Sequence, residues 1–186
     1  MLIDRFGDYR CRQSAIKDIE MAIYGGGLIG VIASLFLMAY ITERQLLVVT
    51  LIANLAGLTV TLGSINIPMA SVGLTINFGA RFMQLGCIFP FLSQSVGESI
   101  RVHRLTLTNI SFMLGALLMA GAYWVIQPWE LAMVLCQIIP LLGCLLCMLL
   151  WVEDVPMSLI TSRSALEAFK GFQNIAKFNK IDCDLT

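Results

Sequence analysis

The sequence predicts an all-α, polytopic membrane protein with five transmembrane helices and amphipathic terminal segments. Hydrophobic residues make up 58% of the chain and charged residues 13%, whereas soluble domains carry about 25% charged residues. Most of the charges lie in residues 1–20 and 153–186, and the part between them carries few. That part divides into apolar runs of about 20 residues, which is the length needed to cross a bilayer core of about 30 Å.

Three regions follow from this distribution of charge. Residues 1–20 form a polar, amphipathic tail that is expected to lie on the membrane or a partner, and a solvated tail is the alternative. Residues 21–152 form the membrane domain of five helices. Residues 153–186 form a C-terminal amphipathic helix and tail, because apolar residues recur there at helical spacing among lysines. The helix begins after Pro156 and includes Leu166, Phe169, Phe172, Ile175 and Phe178.

The five predicted spans are residues 21–41, 46–67, a third within 74–104, 105–126 and 131–152. Pro68 is expected to end the second span, with residues 69–75 as a short uncharged link. No charged residue occurs between Arg81 and Glu98, so the third span is expected between these two charges. Arg81 would then lie near one helix end, and we expect it to face a partner group rather than lipid, because a charge in hydrocarbon is costly.

Five glycines in the spans are predicted to mediate helix packing: Gly26, Gly30, Gly57, Gly115 and Gly121. Each costs about 1 kcal/mol relative to alanine in a helix interior. Lipid tails give no compensation for that cost, whereas another helix can approach a glycine closely. We therefore expect helices of other subunits, or a tightly held lipid, to cover these faces, and Gly26 and Gly30 in particular.

Polar side chains inside the spans could line a cavity or form hydrogen bonds between helices. They are Asn54, Asn66, Asn77, Gln84, Ser93, Gln94, Asn109 and Gln137. The sequence does not choose between these two uses.

The sequence contains no pattern typical of an enzyme, a metal site or a cofactor site. Cys144 and Cys147 form a C-x-x-C, but they lie in an apolar run without a second ligand pair, so a packing role is expected. Lys plus Arg and Asp plus Glu number 12 each, which gives no basic surplus for nucleic acid. The expected partners are membrane lipids and other membrane subunits.

Several short segments carry a family resemblance when they are taken in order. Residues 81–86 read RFMQLG, and an apolar helix, Glu98 and Arg104 follow. This order resembles the fourth helix and next loop of major facilitator superfamily transporters of the organic-cation and sugar type. Residues 25–45 resemble the glycine-rich second helix of that family and its turn, and residues 153–156 resemble its E-S-P-R segment. The resemblance covers about residues 21–180 and implies helices two to six of the N-terminal half.

The resemblance implies that Arg81, Glu98, Arg101 and Arg104 form a structural charge network. The family's first helix and second half are not represented, and the turn that should carry its D-R latch keeps at most Glu43 and Arg44. Residues 4–7, DRFG, offer another match to that latch.

Two functions are therefore expected. The first is a transporter-derived, non-catalytic structural or accessory subunit of a larger membrane complex. The second is part of a split or oligomeric transporter. Among membranes, the mitochondrial inner membrane is favoured.

Overall fold

The computed structural model describes residues 9–95, 98–126, 128–150, 152 and 169–173, and within these the side chains other than those of 9–15, 95, 98 and 99. All regular structure in these residues is helical. The helices are α1 (Tyr9–Leu37), α2 (Glu43–Leu62), α3 (Ile67–Ser95), α4 (Glu98–Val125), α5 (Trp129–Met133), a π turn (Val134–Ile138) and α6 (Ile139–Leu150).

Five helical segments of the described chain are long and apolar enough to cross a membrane. The fifth of them, Trp129–Leu150, runs through α5, the π turn and α6 and is called the fifth span below. The all-α class and the number of five spanning segments are thus confirmed for the residues that the structure describes.

The boundary between the second and third spans differs from the prediction. α2 ends at Leu62, and Gly63 caps it by donating its N–H to the carbonyl of Thr59 at 2.9 Å. Asn66 caps α3, since its side-chain oxygen accepts from the N–H of Met69 at 3.0 Å. Pro68 therefore lies in the first turn of α3, where a missing N–H costs no helical hydrogen bond. Residues 69–75 are part of that helix and not a link.

The two terminal regions were also expected to be separate from the membrane helices. At the N-terminal end α1 already includes residues from Tyr9 onward, so it continues through position 20 without a break. Its membrane-compatible part begins at Ile16. At the C-terminal end residues 169–173 are helical, and the rest of the predicted amphipathic helix lies outside the described residues.

α3 is the central helix of the bundle. It packs against α1 along one side and against α2 along another, whereas its contacts with α4 are few. Because α2 lies between α1 and α3 in the chain and the connections are short, α1 and α3 run in the same direction and α2 runs antiparallel to both. The core is therefore a layer of three helices with α3 in the middle, and α4 and the fifth span lie beside it with fewer contacts.

Glycine makes the contact between α1 and α3 possible. A Cβ atom at Gly26 would collide with the backbone oxygen of Thr75, and one at Gly30 would collide with the backbone oxygen of Gly79. The two helix backbones therefore touch at this crossing, which is the arrangement that small residues permit between membrane helices. Gly26 and Gly30 are consequently occupied within the chain, in contrast to the expectation that they receive helices of other subunits.

The contact between α2 and α3 has the same basis. A Cβ atom at Gly57 would lie 2.6 Å from the backbone nitrogen of Asn77, and one at Gly73 would lie 2.5 Å from the hydroxyl oxygen of Thr61. Next to this crossing, the buried Asn77 side chain donates to the side-chain oxygen of Asn54. Backbone contact and a buried amide pair together set the register of these two helices.

One end of the core holds an apolar cluster that includes the fifth span. Leu46, Leu47 and Cys87 are buried there, and Met148 of α6 packs against them. Arg44 adds a polar contact by donating to the backbone oxygen of Met148 at 3.3 Å. The far end of the fifth span is thereby attached to the start of α2.

The glycine contacts predict opposite effects for two matched substitutions. Gly30→Ala should destabilise the protein by about 1–3 kcal/mol, the usual cost of overpacking, because the new methyl group meets backbone atoms that cannot rotate away. Gly115→Ala should be neutral or slightly stabilising, because nothing lies within 4 Å of its Cβ position in the described residues and alanine favours helix. The free energy of unfolding of both variants is measured by titration with sodium dodecyl sulfate in mixed micelles. Equal effects would contradict the assigned α1–α3 crossing.

Candidate functional site

Arg81 lies at the middle of a membrane-spanning helix. It is the fifteenth of the 29 residues of α3, so it stands about 21 Å along the axis from either end. The prediction placed it near a helix end, and that placement is wrong because α3 begins at Ile67, well before the first charged residue. An ionisable side chain at this depth is a candidate functional group.

The Arg81 side chain connects three helices through a chain of hydrogen bonds. Its guanidinium, which is half-buried, donates to the side-chain oxygen of Gln137 in the fifth span. The amide nitrogen of Gln137 donates in turn to the hydroxyl of Tyr123 in α4, at 3.0 Å. As expected, Arg81 faces another helix. We call these three residues the Arg81 cluster.

The π turn explains how Gln137 reaches this position. Pro140 follows shortly after and has no N–H for the carbonyl of residue 136, with which its ring would clash in a regular α-helix. In the π turn the N–H of Ile139 bonds to the carbonyl of Val134, five residues back. This local widening adapts the helix to the proline, as occurs in membrane helices, and Gln137 lies within the widened turn.

The remaining surroundings of the guanidinium are apolar or unpaired. Its central carbon lies 5.7 Å from the ring centroid of Phe78, within the range of a cation–π contact. Its Nε atom is buried and has no hydrogen-bond acceptor among the described residues. Nor does a described carboxylate pair with Arg81.

The contacts of Arg81 are comparable in magnitude with the cost of its charge. An arginine at the centre of a membrane helix costs about 2.5–3.5 kcal/mol on insertion scales. A hydrogen bond to a charged group contributes about 1.5–3 kcal/mol, and the contact with Phe78 adds a smaller cation–π contribution. These contacts therefore offset much of the cost, and the buried Nε atom is the part of the guanidinium without an acceptor among the described residues.

The other members of the predicted charge network lie elsewhere. Arg101 and Arg104 are exposed in the first turns of α4, and neither contacts Arg81. Glu98 begins that helix, and its side chain lies outside what the structure describes. The structure thus assigns Arg81 to a different set of contacts, and the four-residue network as a whole stays a prediction.

The five predicted packing glycines divide into two groups. Gly26, Gly30 and Gly57 lie at helix contacts within the core, whereas no atom of the described residues lies within 4 Å of a Cβ at Gly115 or Gly121. The packing role of these last two stays a prediction.

The polar residues inside the spans also divide by use. Asn54 and Asn77 pair with each other, Asn66 caps a helix, Gln137 holds Arg81, and Gln94 donates to a side-chain oxygen of Glu43 at 3.3 Å. Tyr123 was not singled out from the sequence. Its neighbour Trp124 and its place near the end of α4 are typical of an aromatic belt at the membrane surface, which hides the inward role of Tyr123.

Neither a known family model, nor a curated protein, nor a solved structure matches this chain significantly. The resemblance to the major facilitator superfamily therefore stays a prediction.

The Arg81 cluster predicts a strong coupling between Arg81 and Gln137. Gln137→Leu should destabilise the protein, because the guanidinium then loses its acceptor in a low-dielectric site. The double variant Arg81→Leu with Gln137→Leu should be more stable than Gln137→Leu alone, because it also removes the charge.

Unfolding free energies of the two single variants and the double variant give the coupling directly. Tyr123→Phe serves as a milder control and should cost about 0.6 kcal/mol, the mean for such a bond. Additive effects of the two substitutions at Arg81 and Gln137 would contradict the assigned contact.

Proposed function

We propose that this chain is a transporter-derived integral membrane protein that acts as a non-catalytic structural or accessory subunit of a larger membrane complex. The observation that carries the proposal is the contrast between the packed core of α1–α3 and the two outer helices. No described residue of α4 is buried, and only Ala132 and Met133 are buried in the fifth span.

Exposed apolar side chains alone would suit lipid as well as protein. Few contacts join α4 to the rest of the described chain, however, and one polar contact among them is the hydrogen bond that Gln137 donates to Tyr123. Helix association in membranes depends on close packing and such hydrogen bonds. Lipid tails are as apolar as the helix surfaces, so no hydrophobic driving force brings the helices together. Helices of neighbouring subunits would hold α4 and the fifth span in place.

The Arg81 cluster supports the same proposal. Its hydrogen bonds tie α3 to both outer helices, which is a structural use of the charge. A carboxylate or carbonyl of a neighbouring subunit would complete the compensation of the guanidinium. We also propose that the membrane of this complex is the mitochondrial inner membrane. Subcellular fractionation of cells that express the tagged chain tests this assignment.

A subunit of a complex should remain bound to its partners when it is extracted with a mild detergent. We expect native electrophoresis of detergent-solubilised membranes to place the tagged chain in a band far above its monomer mass, with several different proteins identified by mass spectrometry. The control is the same extract in sodium dodecyl sulfate, which should release the monomer. A chain that runs as a monomer at every detergent concentration would contradict the proposal.

A second candidate is a split or oligomeric major-facilitator-type transporter. The observation that favours it is the depth of Arg81, since transporters bind their substrates near the bilayer midplane between two halves. This candidate predicts solute uptake by vesicles that contain the intact assembly.

The matched variants Arg81→Gln and Arg101→Gln separate the two candidates. A transporter should lose uptake with the first variant and keep it with the second, because Arg101 is exposed near the helix start. A structural subunit should show no uptake that depends on Arg81, and Arg81→Gln should change only its stability and assembly.

A further inference from the structure

The face of α4 that turns toward the rest of the chain begins with two arginines. The half-buried residues of α4 mark the direction of this face, and they are Leu105, Thr108, Met119, Ala122 and Tyr123. At about 100° per residue they lie within an arc of about 100° around the helix. Arg101 and Arg104 fall in the same arc, about two turns and one turn before Thr108. We call this arc the inward face of α4.

The inward face is open in its middle. Phe112 and Gly115 lie in the same arc, between the half-buried Thr108 and Met119. Phe112 is nevertheless exposed, and no atom of the described residues lies within 4 Å of a Cβ at Gly115. A gap that the described part of the chain does not fill therefore lies beside the inward face.

The two arginines stand at the depth of lipid headgroups. The membrane-compatible part of α4 is Ile100–Val125, and its length is about 39 Å, compared with about 30 Å for a hydrocarbon core. If the two are centred on each other, Arg101 lies about 2 Å outside the edge of the core and Arg104 about 2 Å inside it. From either position a long arginine side chain reaches the interface.

The charges of the two arginines call for an anion. Both side chains are exposed, and neither forms a hydrogen bond or an ion pair with the described residues. They are three positions apart, so they are neighbours on the helix surface, and like charges at this spacing repel each other. They also lie in the first turns of a helix, where the helix dipole disfavours cations. A phosphate between them offsets both costs, because guanidinium groups bind phosphate by paired, charge-assisted hydrogen bonds.

We propose that an anionic phospholipid occupies the inward face of α4, with its phosphate on Arg101 and Arg104 and an acyl chain along Phe112 and Gly115. Basic residues between membrane helices bind anionic headgroups in this way. One leaflet of the hydrocarbon core is about 15 Å deep, and Gly115 lies about 16 Å along the axis from Arg104. An acyl chain below the headgroup therefore reaches the gap.

The side of the membrane on which the arginines lie agrees with this occupant. The connection between α3 and α4 is on the same side as the start of α2, because Gln94 donates to Glu43 at 3.3 Å. Arg44 lies on this side as well, whereas the connections on the other side, residues 63–66 and 126–128, carry no charge. Basic connections favour the inner side of a membrane, where anionic lipids are enriched.

This inference goes beyond the proposed function and does not rest on it. The lipid lies on the inward face of α4, and neighbouring subunits would cover the other faces. The two can also fail separately. The isolated chain can bind the lipid when no large native band forms, and the native band can persist in a chain that binds no lipid.

Native mass spectrometry of the full chain, released from detergent micelles, measures the binding of added phospholipids. Phosphatidylglycerol should bind at least about fivefold more tightly than phosphatidylcholine. Arg101→Gln and Arg104→Gln should each weaken the binding of phosphatidylglycerol about fivefold, and the double variant about thirtyfold, which is the increment of one basic residue at an anionic surface taken once and twice. Lys17→Gln removes an exposed cation near the opposite membrane surface and should change the binding less than twofold.

A second pair of variants tests the position of the acyl chain. Gly115→Leu should weaken the binding of phosphatidylglycerol about threefold, because the leucine takes the place of acyl-chain atoms. Gly121→Leu is the matched control, since Gly121 is equally open but lies about 120° away around the helix. It should change the binding less than twofold.

The single arginine variants remain usable in whole membranes. Arg101→Gln keeps Arg104 at the headgroup, and a membrane holds lipid in large excess over one protein site. A fivefold weaker site therefore stays occupied there, so this variant still serves as the control for solute uptake.

Several outcomes would overturn the proposal. These are equal binding of the two phospholipids, a double arginine variant that binds phosphatidylglycerol normally, and a Gly115→Leu variant that is no weaker than Gly121→Leu. Displacement of the lipid by millimolar glycerol phosphate would show that the face recognises an anion only. If the isolated chain binds no lipid while the double arginine variant loses the native band, an acidic segment of a neighbouring subunit occupies the face instead.

Discussion

The close approach of two helices to the backbone of α3 is the constraint on which the rest of the structure depends. Side chains larger than hydrogen at Gly26, Gly30 or Gly57 would strike backbone atoms of α3, so these helices can cross only where glycine occurs. The crossings fix the rotation of α3 about its own axis. That rotation turns Asn77 toward Asn54 and leaves Arg81 facing the fifth span.

The orientation of Arg81 in turn determines how the outer helices join the core. A guanidinium at the middle of a membrane helix requires an acceptor, and Gln137 provides one because a π turn before Pro140 adapts the backbone at that position. Tyr123 extends the connection to α4. These contacts account for a structural role of the charge, and the Nε atom of Arg81 is the buried part of the guanidinium that has no acceptor among the described residues.

The two sides of the molecule differ in how they obtain stability. In the core of α1–α3 the helix backbones touch at glycines, which is the close packing that small residues permit between membrane helices. α4 lacks such contacts among the described residues, and none of its described side chains is buried. The same physical rule that explains the core supports the proposal that neighbouring subunits hold the outer helices in place.

The sequence by itself determined the class of the protein and the number of spans, because hydropathy and run length are local properties that a membrane selects directly. It also identified most polar groups inside the spans, since asparagine and glutamine are conspicuous in apolar runs. It misplaced the start of α3, because a proline ends a helix in most positions but is tolerated in a first turn. That shift of the boundary moved Arg81 from a helix end to the middle.

Only the tertiary structure decided what the polar and small residues contact. Gln137 lies 56 positions from Arg81 and 14 from Tyr123, and no local pattern pairs residues at such separations. Likewise, the sequence predicted a packing role for both Gly30 and Gly115, yet a Cβ at Gly30 would meet backbone, whereas one at Gly115 would have no atom of the described residues within 4 Å. A glycine permits a close approach, but the neighbour that makes the approach is set by the packing of the whole bundle.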